Sequence, residues 1–241
     1  MALIAASILF ADFARLGEAL ACVEAGGCRM LHVEVMDGHF VPDITVGQPV
    51  IRSLRKATAL ELSVHLLVER PERFVEEIAQ AGADRIAIHA EATPDLHRAL
   101  GRVRAAGRKA GLALNPGTSI EVAAEQLKYA DYLVILTADA GLAEPRHIEG
   151  MAAKVSRATE ERRRLGLHLE IVAAGDVGFS EVNALVDAGA DILVVGSAIF
   201  NNRGPESAMA EMIQRAARPG RLIRNQASGS QQLFEKPVAD S

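Results

Sequence analysis

The chain has 241 residues, of which 49% are apolar and 24% charged, proportions typical of one globular domain. A formal net charge of −5 excludes a strongly basic surface, so we expect neither nucleic acid nor a membrane as a partner. The two cysteines, Cys22 and Cys28, are too few for a disulfide framework and lack the paired spacing of a thiolate zinc site. We therefore expect a reduced, cytoplasmic protein.

The predicted elements begin with MALIAASILF, which has no basic leader and is much shorter than the roughly 18 residues of a membrane-spanning helix. We interpret it as a buried strand. Eight apolar runs predict strands near residues 3–9, 30–35, 61–66, 85–89, 110–114, 132–137, 169–174 and 191–196. Amphipathic segments at 12–25, 71–81, 119–127 and 180–188 predict helices, with Ser119 and Ser180 as N-caps and Pro71 in a first turn.

Ala-Gly pairs end several of the helical segments just before the next strand, at 25–26, 81–82, 106–107 and 188–189. Glycine after a helix accepts the left-handed conformation that closes it, so the repeated unit is helix, cap, strand. Eight alternating strand and helix units in about 215 residues predict an α/β fold, a (β/α)8 TIM barrel over residues 1–218, with a doubly wound sheet as the structural alternative. For residues 219–241, which lack an apolar period, we expect a polar, flexible tail.

Polar residues at the strand ends are the candidate functional groups, because the active face of such a barrel lies there. They are Ser7, His32, Glu34, Asp37, His65, His89, Asn115, Thr137, Gly196 and Ser197. His32, His65 and Glu34 form a mixed nitrogen and oxygen set suited to a divalent Zn, Fe, Mn or Co ion, although a strand histidine is also commonly a packing residue. Gly196 and Ser197 end the last strand, where either a phosphate-binding turn or a tight turn without ligand is expected.

Five segments resemble ribulose-phosphate 3-epimerases, in register from about residue 4 to 215. They are ASILFADFARLG (6–17), LHVEVMDGHFVPDITVGQPVI (31–51), VHLLVERPERF (64–74), GLALNPGTSIE (111–121) and AGADILVVGSAIF (188–200). The resemblance implies a barrel that forms a homo-oligomer and interconverts D-ribulose 5-phosphate and D-xylulose 5-phosphate. It also implies two acid/base residues, one for each face of C3, and a divalent metal that stabilises the enediolate.

The resemblance assigns roles by position. The positions of the family's metal ligands are occupied by His32, His65 and Glu34. Glu34 also occupies the position of one acid/base residue, which is an aspartate in the family. The expected substrate-binding positions are Ser7, His65, Gly141, Gly175, Gly196 and Ser197. For Asp37, in the MDG turn, turn capping is the expected role.

The sequence departs from the family at the second acid/base position and at the phosphate-binding positions. Ala174 stands where the family has its second acid/base aspartate and fourth metal ligand, and Asp176 stands at a phosphate-binding glycine. The glycine-rich loop after strand six aligns with residues 141–145, where Ala143 and Glu144 replace glycines, and Arg146 or Arg203 is a candidate to offset the added charge. The chain also has fewer of the methionines that line the site in the family.

Three hypotheses follow, in order of preference. The first is a ribulose-phosphate 3-epimerase with weakened or altered activity on a ketose phosphate. The second is a related enolisation or isomerisation of a different, for example unphosphorylated, sugar. The third is a non-catalytic paralogue that keeps the barrel for binding or assembly.

Overall fold

A computed structural model describes residues 2–142, 145–201 and 204–217. The predicted tail at 219–241, the loop residues Ala143 and Glu144, and Arg203 lie outside the described residues. Eight parallel strands form a closed barrel in chain order. They are β1 Leu3–Ser7, β2 Met30–Met36, β3 Glu61–Leu67, β4 Arg85–His89, β5 Lys109–Leu114, β6 Tyr132–Leu136, β7 Glu170–Ala174 and β8 Ile192–Val195. The predicted (β/α)8 barrel is confirmed.

The helices pack around the outside of the barrel and bury the outward side chains of the strands. The α-helices are α1 Leu16–Ala25, α2 Gln48–Ala57, α3 Val75–Ala81, α4 Leu96–Ala105, α5 Met151–Arg164, α6 Val182–Asp187, α7 Ser197–Phe200 and α8 Pro205–Ala217. Short 3-10 helices cover Ile8–Phe10, Phe13–Arg15, Pro71–Arg73 and Ala90–Ala92, and a longer one covers Ile120–Tyr129. Among the described helices, none is long and apolar enough to cross a membrane.

Several predicted boundaries are wrong for local reasons. The first strand ends at Ser7 rather than at residue 9, because the Ser7 hydroxyl accepts the amide of Leu9 and begins a 3-10 turn. The Ser119 side chain makes no capping bond. Ser180 is not the N-cap of α6, which begins after Glu181, because the Glu181 carboxylate accepts the Gly178 amide and extends the preceding turn.

Inside the barrel, the end formed by the amino termini of the strands is closed by an ion pair between a buried arginine and a partly exposed glutamate. Arg85, at 1% exposure, donates to the Glu170 carboxylate at 2.6 Å and stacks on the Tyr132 ring, 4.1 Å from its centroid. Gly111 makes room for this ring, since a Cβ there would lie 2.2 Å from a Tyr132 ring carbon. This closed end leaves the opposite end of the barrel for the cleft.

Candidate active site

One cleft opens at the carboxyl ends of the strands, as the barrel fold predicts. It encloses about 600 Å³, part of it open to solvent. Six of the predicted site residues line it: Ser7, Glu34, His65, Gly141, Gly175 and Gly196. Strand register explains the grouping, because β1 pairs Ser7 with His32 and β2 pairs Glu34 with His65. His32 is buried, and Ser197 adjoins the cleft through a hydrogen bond to Asp176.

Glu34 is the carboxylate at the floor of the cleft. Its side chain is 12% exposed, and the Ser7 hydroxyl lies 2.9 Å from both carboxylate oxygens, so it donates to one or the other. Thr45 fixes the end of β2 by donating to the Glu34 carbonyl at 2.7 Å and accepting the Met36 amide at 3.0 Å. Burial raises the pKa of Glu34 to about 7, although the Ser7 hydrogen bond opposes this. The carboxyl group therefore changes charge near neutral pH.

His32 lies beside Glu34 as a neutral imidazole. Its Nε2 is 3.8 Å from the nearer Glu34 oxygen and has no hydrogen-bond partner among the described residues. Burial, followed by the charge of Arg85, lowers the pKa of His32 to about 3. An unpartnered buried nitrogen is uncommon and costs stability unless something binds it.

His65 belongs to a hydrogen-bonded row that runs from β3 to the turn after β4. Its Nε2 lies 2.9 Å from Nε2 of His89, and Nδ1 of His89 lies 3.0 Å from the Glu91 carboxylate. Burial raises the pKa of Glu91, but hydrogen bonds from His89, Thr118 and the Asn115 amide outweigh it and bring that pKa to about 2.

The ionised Glu91 fixes a hydrogen on one nitrogen of His89. A carboxylate only accepts hydrogen bonds, so Nδ1 of His89 donates to it. Burial, followed by electrostatic interaction with the neighbouring imidazoles of His89 and His32, lowers the pKa of His65 well below its ordinary value, so this ring is neutral. Sequence reasoning found His65 and His89 and missed Glu91, although its place two residues after a strand-end histidine was a signal.

Three further strand-end candidates have structural roles. Asp37 accepts the amides of His39, Phe40 and Glu69 and so caps its turn, as expected. Thr137 is buried and donates to backbone carbonyls after β7, and the backbone of Asn115 donates to Glu91.

Packing also explains two of the predicted substrate-binding glycines. A Cβ on Gly196 would lie 2.5 Å from the Phe10 ring, and one on Gly175 would lie 2.6 Å from the Ala138 amide. Both glycines are therefore needed for close packing of the strand ends, whether or not a ligand binds there.

The β7 side of the cleft differs in character from the Glu34 side. Ala174 is buried and presents only a methyl group. Asp176 has a left-handed backbone with φ of 46°, and its carboxylate accepts the Ser197 hydroxyl at 3.3 Å and the His147 amide at 3.2 Å. Arg146, a candidate to offset negative charge, is exposed and does not line the cleft.

The predicted metal ligands do not converge in this arrangement. Within residues 2–142, 145–201 and 204–217, no group of three or more His, Cys, Asp or Glu side chains is placed to hold a metal ion. Nε2 of His65 is hydrogen-bonded to Nε2 of His89 at 2.9 Å, and the Ala174 side chain supplies no oxygen. The open Nε2 of His32 beside Glu34 is the one feature that favours a ligand. A metal on His32, Glu34 and His65 therefore stays a prediction that the described geometry does not fit.

Comparison with known proteins identifies the family to which the chain is similar. A sequence model of the Ribulose-phosphate 3 epimerase family matches residues 3–200. The ribulose-phosphate 3-epimerase of Bacillus subtilis (strain 168) is 38% identical over 212 residues, covering 87% of this chain and 97% of that protein. The ribulose-phosphate 3-epimerase of Rhodobacter capsulatus is 41% identical over 199 residues, covering 82% and 85%.

Among solved structures, KGPDC from Streptococcus mutans superposes with a TM-score of 0.65 at 13% identity, covering 90% of this chain and 97% of that one. At this identity the likeness concerns the barrel alone. The family match and the two relatives go further, because they span most of the barrel at well above 30% identity. The chain therefore belongs to the ribulose-phosphate 3-epimerase family, and its enzyme class is that of an epimerase.

Proposed function

We propose that this chain enolises a ketose, with Glu34 as the base that removes the proton from the carbon next to the carbonyl group. The observation that carries the proposal is the Glu34 carboxyl group itself, which lines the cleft with a pKa of about 7. A base works best when its pKa lies near the working pH, because it is then both ionised and basic enough to take a proton from carbon. The Ser7 hydroxyl, 2.9 Å away, orients the carboxylate.

The proton transfers follow from the residues on each side of the cleft. When Glu34 takes the proton, the bonding electrons move to the carbonyl oxygen and give an enediolate. Inversion at C3 requires that a proton return to the opposite face. The β7 side has a methyl group at Ala174, which donates no proton. Epimerisation is therefore weakened, because the returning proton must come from a bound water or a more distant acid.

The same asymmetry favours a second candidate, isomerisation between a ketose and an aldose. In this reaction Glu34 removes a proton from C1 and returns it to C2 on the same face, so only one carboxyl group is needed. Epimerisation instead begins with loss of the C3 proton and gives the 2,3-enediolate. The carbon that exchanges its proton and the identity of the product therefore distinguish the two reactions.

A divalent metal would supply electrostatic stabilisation of the enediolate if it bound. The metal-assisted form of the reaction remains part of the family expectation. It requires that His65 release its hydrogen bond to His89 and present Nε2 as a ligand. The proton transfers above are independent of that rearrangement.

The test is exchange of the C1 and C3 protons with solvent deuterium, followed by NMR. The substrates are D-ribulose and D-xylulose and their 5-phosphates, each with added divalent metal and with chelator. We expect exchange by the native chain, a loss of at least about 100-fold in Glu34→Gln, and partial activity in Glu34→Asp, which keeps a displaced carboxylate. Absence of exchange with every substrate would leave the non-catalytic hypothesis standing.

A further inference from the structure

Asp176 holds an unusual position at the mouth of the cleft. It is one of two non-glycine residues with positive φ among those described. Its carboxylate accepts hydrogen bonds from the Ser197 hydroxyl and the His147 backbone amide. The Ser197 hydroxyl and the His147 amide could otherwise bind an anionic ligand at this point. Instead, both donate to the Asp176 carboxylate.

The remaining lining residues add to this negative character. Asp43, Asp139 and Asp176 line the cleft together with Glu34. No lysine or arginine is among the described lining residues. A phosphate group carries up to two negative charges at neutral pH, and repulsion is strongest in a partly enclosed cleft, where water screens charges less.

We propose that Asp176 determines specificity by excluding phosphorylated substrates, and that the cleft takes a ketose whose far end is an uncharged hydroxyl group. Ionised carboxylates are pure hydrogen-bond acceptors, and sugar hydroxyls are donors. Asp176 and Asp139, which both line the cleft, can accept hydrogen bonds from the hydroxyl groups of a sugar, whereas their negative charge repels a phosphate. This inference rests on the proposed enolisation and specifies its substrate class.

The position also allows a clean set of variants. Asp176→Asn removes the charge and keeps the shape, and asparagine tolerates the left-handed backbone nearly as well as aspartate. Asp176→Gly removes charge and side chain and is favourable at this φ. Asp187→Asn makes the same change in charge at the exposed end of α6, outside the cleft, and serves as the matched control.

The experiment compares kcat/KM for proton exchange with D-ribulose and with D-ribulose 5-phosphate in the four proteins. We expect the native chain and Asp187→Asn to favour the unphosphorylated ketose by at least about tenfold. Asp176→Asn and Asp176→Gly are expected to raise the ratio of phosphorylated to unphosphorylated activity at least about tenfold. A native chain that prefers the phosphate, or a ratio that the Asp176 variants leave unchanged, would overturn the inference without touching the proposed function.

A binding measurement keeps the inference testable if no ketose is turned over. Inorganic phosphate at millimolar concentration is added in a thermal unfolding assay, where a ligand that binds the native state raises the Tm. We expect a rise of at least about 2 °C in Asp176→Gly and none in the native chain or in Asp187→Asn. An equal rise in the native chain and Asp176→Gly would refute the specificity role of Asp176.

Discussion

Glu34→Gln should make the protein more stable at alkaline pH while abolishing its activity. In the native chain, burial raises the pKa of Glu34 from 4.5 to about 7. Between these two values the folded protein holds a proton that the unfolded chain releases, so the free energy of unfolding falls as the pH rises. Glutamine has the shape of the protonated carboxyl group and does not ionise. It is therefore free of this destabilisation.

The magnitude follows from the shift in pKa. The native protein loses roughly 3 kcal/mol in total as the pH rises through the window, and roughly 2.5 kcal/mol of this lies between about pH 5 and pH 8.5. The advantage of Glu34→Gln should therefore grow by that amount over the same interval. The group is only 12% exposed, so solvent screening removes little of the effect.

Urea unfolding of the native chain and Glu34→Gln at a series of pH values measures the difference directly. Glu125→Gln is the control, because it makes the same chemical change at an exposed position. In the native chain, kcat/KM for deuterium exchange should rise with pH to a plateau, with its midpoint near pH 7. A stability difference that is independent of pH would refute the raised pKa of Glu34 and remove the main physical argument for Glu34 as the base.

Three further changes test the surrounding groups. Ser7→Ala removes the donor that favours the carboxylate, so the midpoint of the activity profile should move above pH 7, as measured by deuterium exchange. Ala174→Asp should raise the yield of C3-inverted product at least about tenfold by NMR, and no gain would show that more than the missing acid separates this chain from its relatives. Glu91→Gln should destabilise the protein by roughly 1 kcal/mol at pH 7 in urea unfolding, less than the full pKa shift implies because solvent screens this partly exposed group. The deficit should shrink as the pH falls from 4.5 towards 2, because the low pKa of Glu91 stabilises the fold only while the carboxyl group is ionised.

The strands and the place of the site could be predicted because they depend on local pattern. Apolar runs mark the eight strands, and the parallel barrel brings all their carboxyl ends to one face. The segment at 119–127 has an apolar period that suits either helix type, and the structure contains a 3-10 helix there. The preceding loop is held by Lys154, whose ammonium group donates to the carbonyls of Asn115, Pro116 and Thr118, and no local pattern shows that contact.

The electrostatics of the site were beyond sequence reasoning, because they arise from burial and from contacts between strands. Nothing in the spacing of His65, His89 and Glu91 reveals that the three form one hydrogen-bonded row. The same row changes the interpretation of His65, whose Nε2 is hydrogen-bonded to His89 in the structure and is a metal ligand in the family expectation. Likewise, Asp176 was found as a substitution, but its bonds to Ser197 and His147 depend on two loops that meet only in the folded chain.

The cost of Glu34 to the fold is an argument against the non-catalytic hypothesis. A barrel kept only for packing or assembly has no use for a buried carboxyl group that destabilises it by roughly 3 kcal/mol above neutral pH. It has no use either for an imidazole at His32 whose Nε2 lacks a partner among the described residues. Groups of this kind are typical of sites that bind or react. Because a carboxyl group at Glu34 and an imidazole at His32 are kept while Ala174 carries no acid, the arrangement fits an enzyme whose reaction has changed better than one that has stopped.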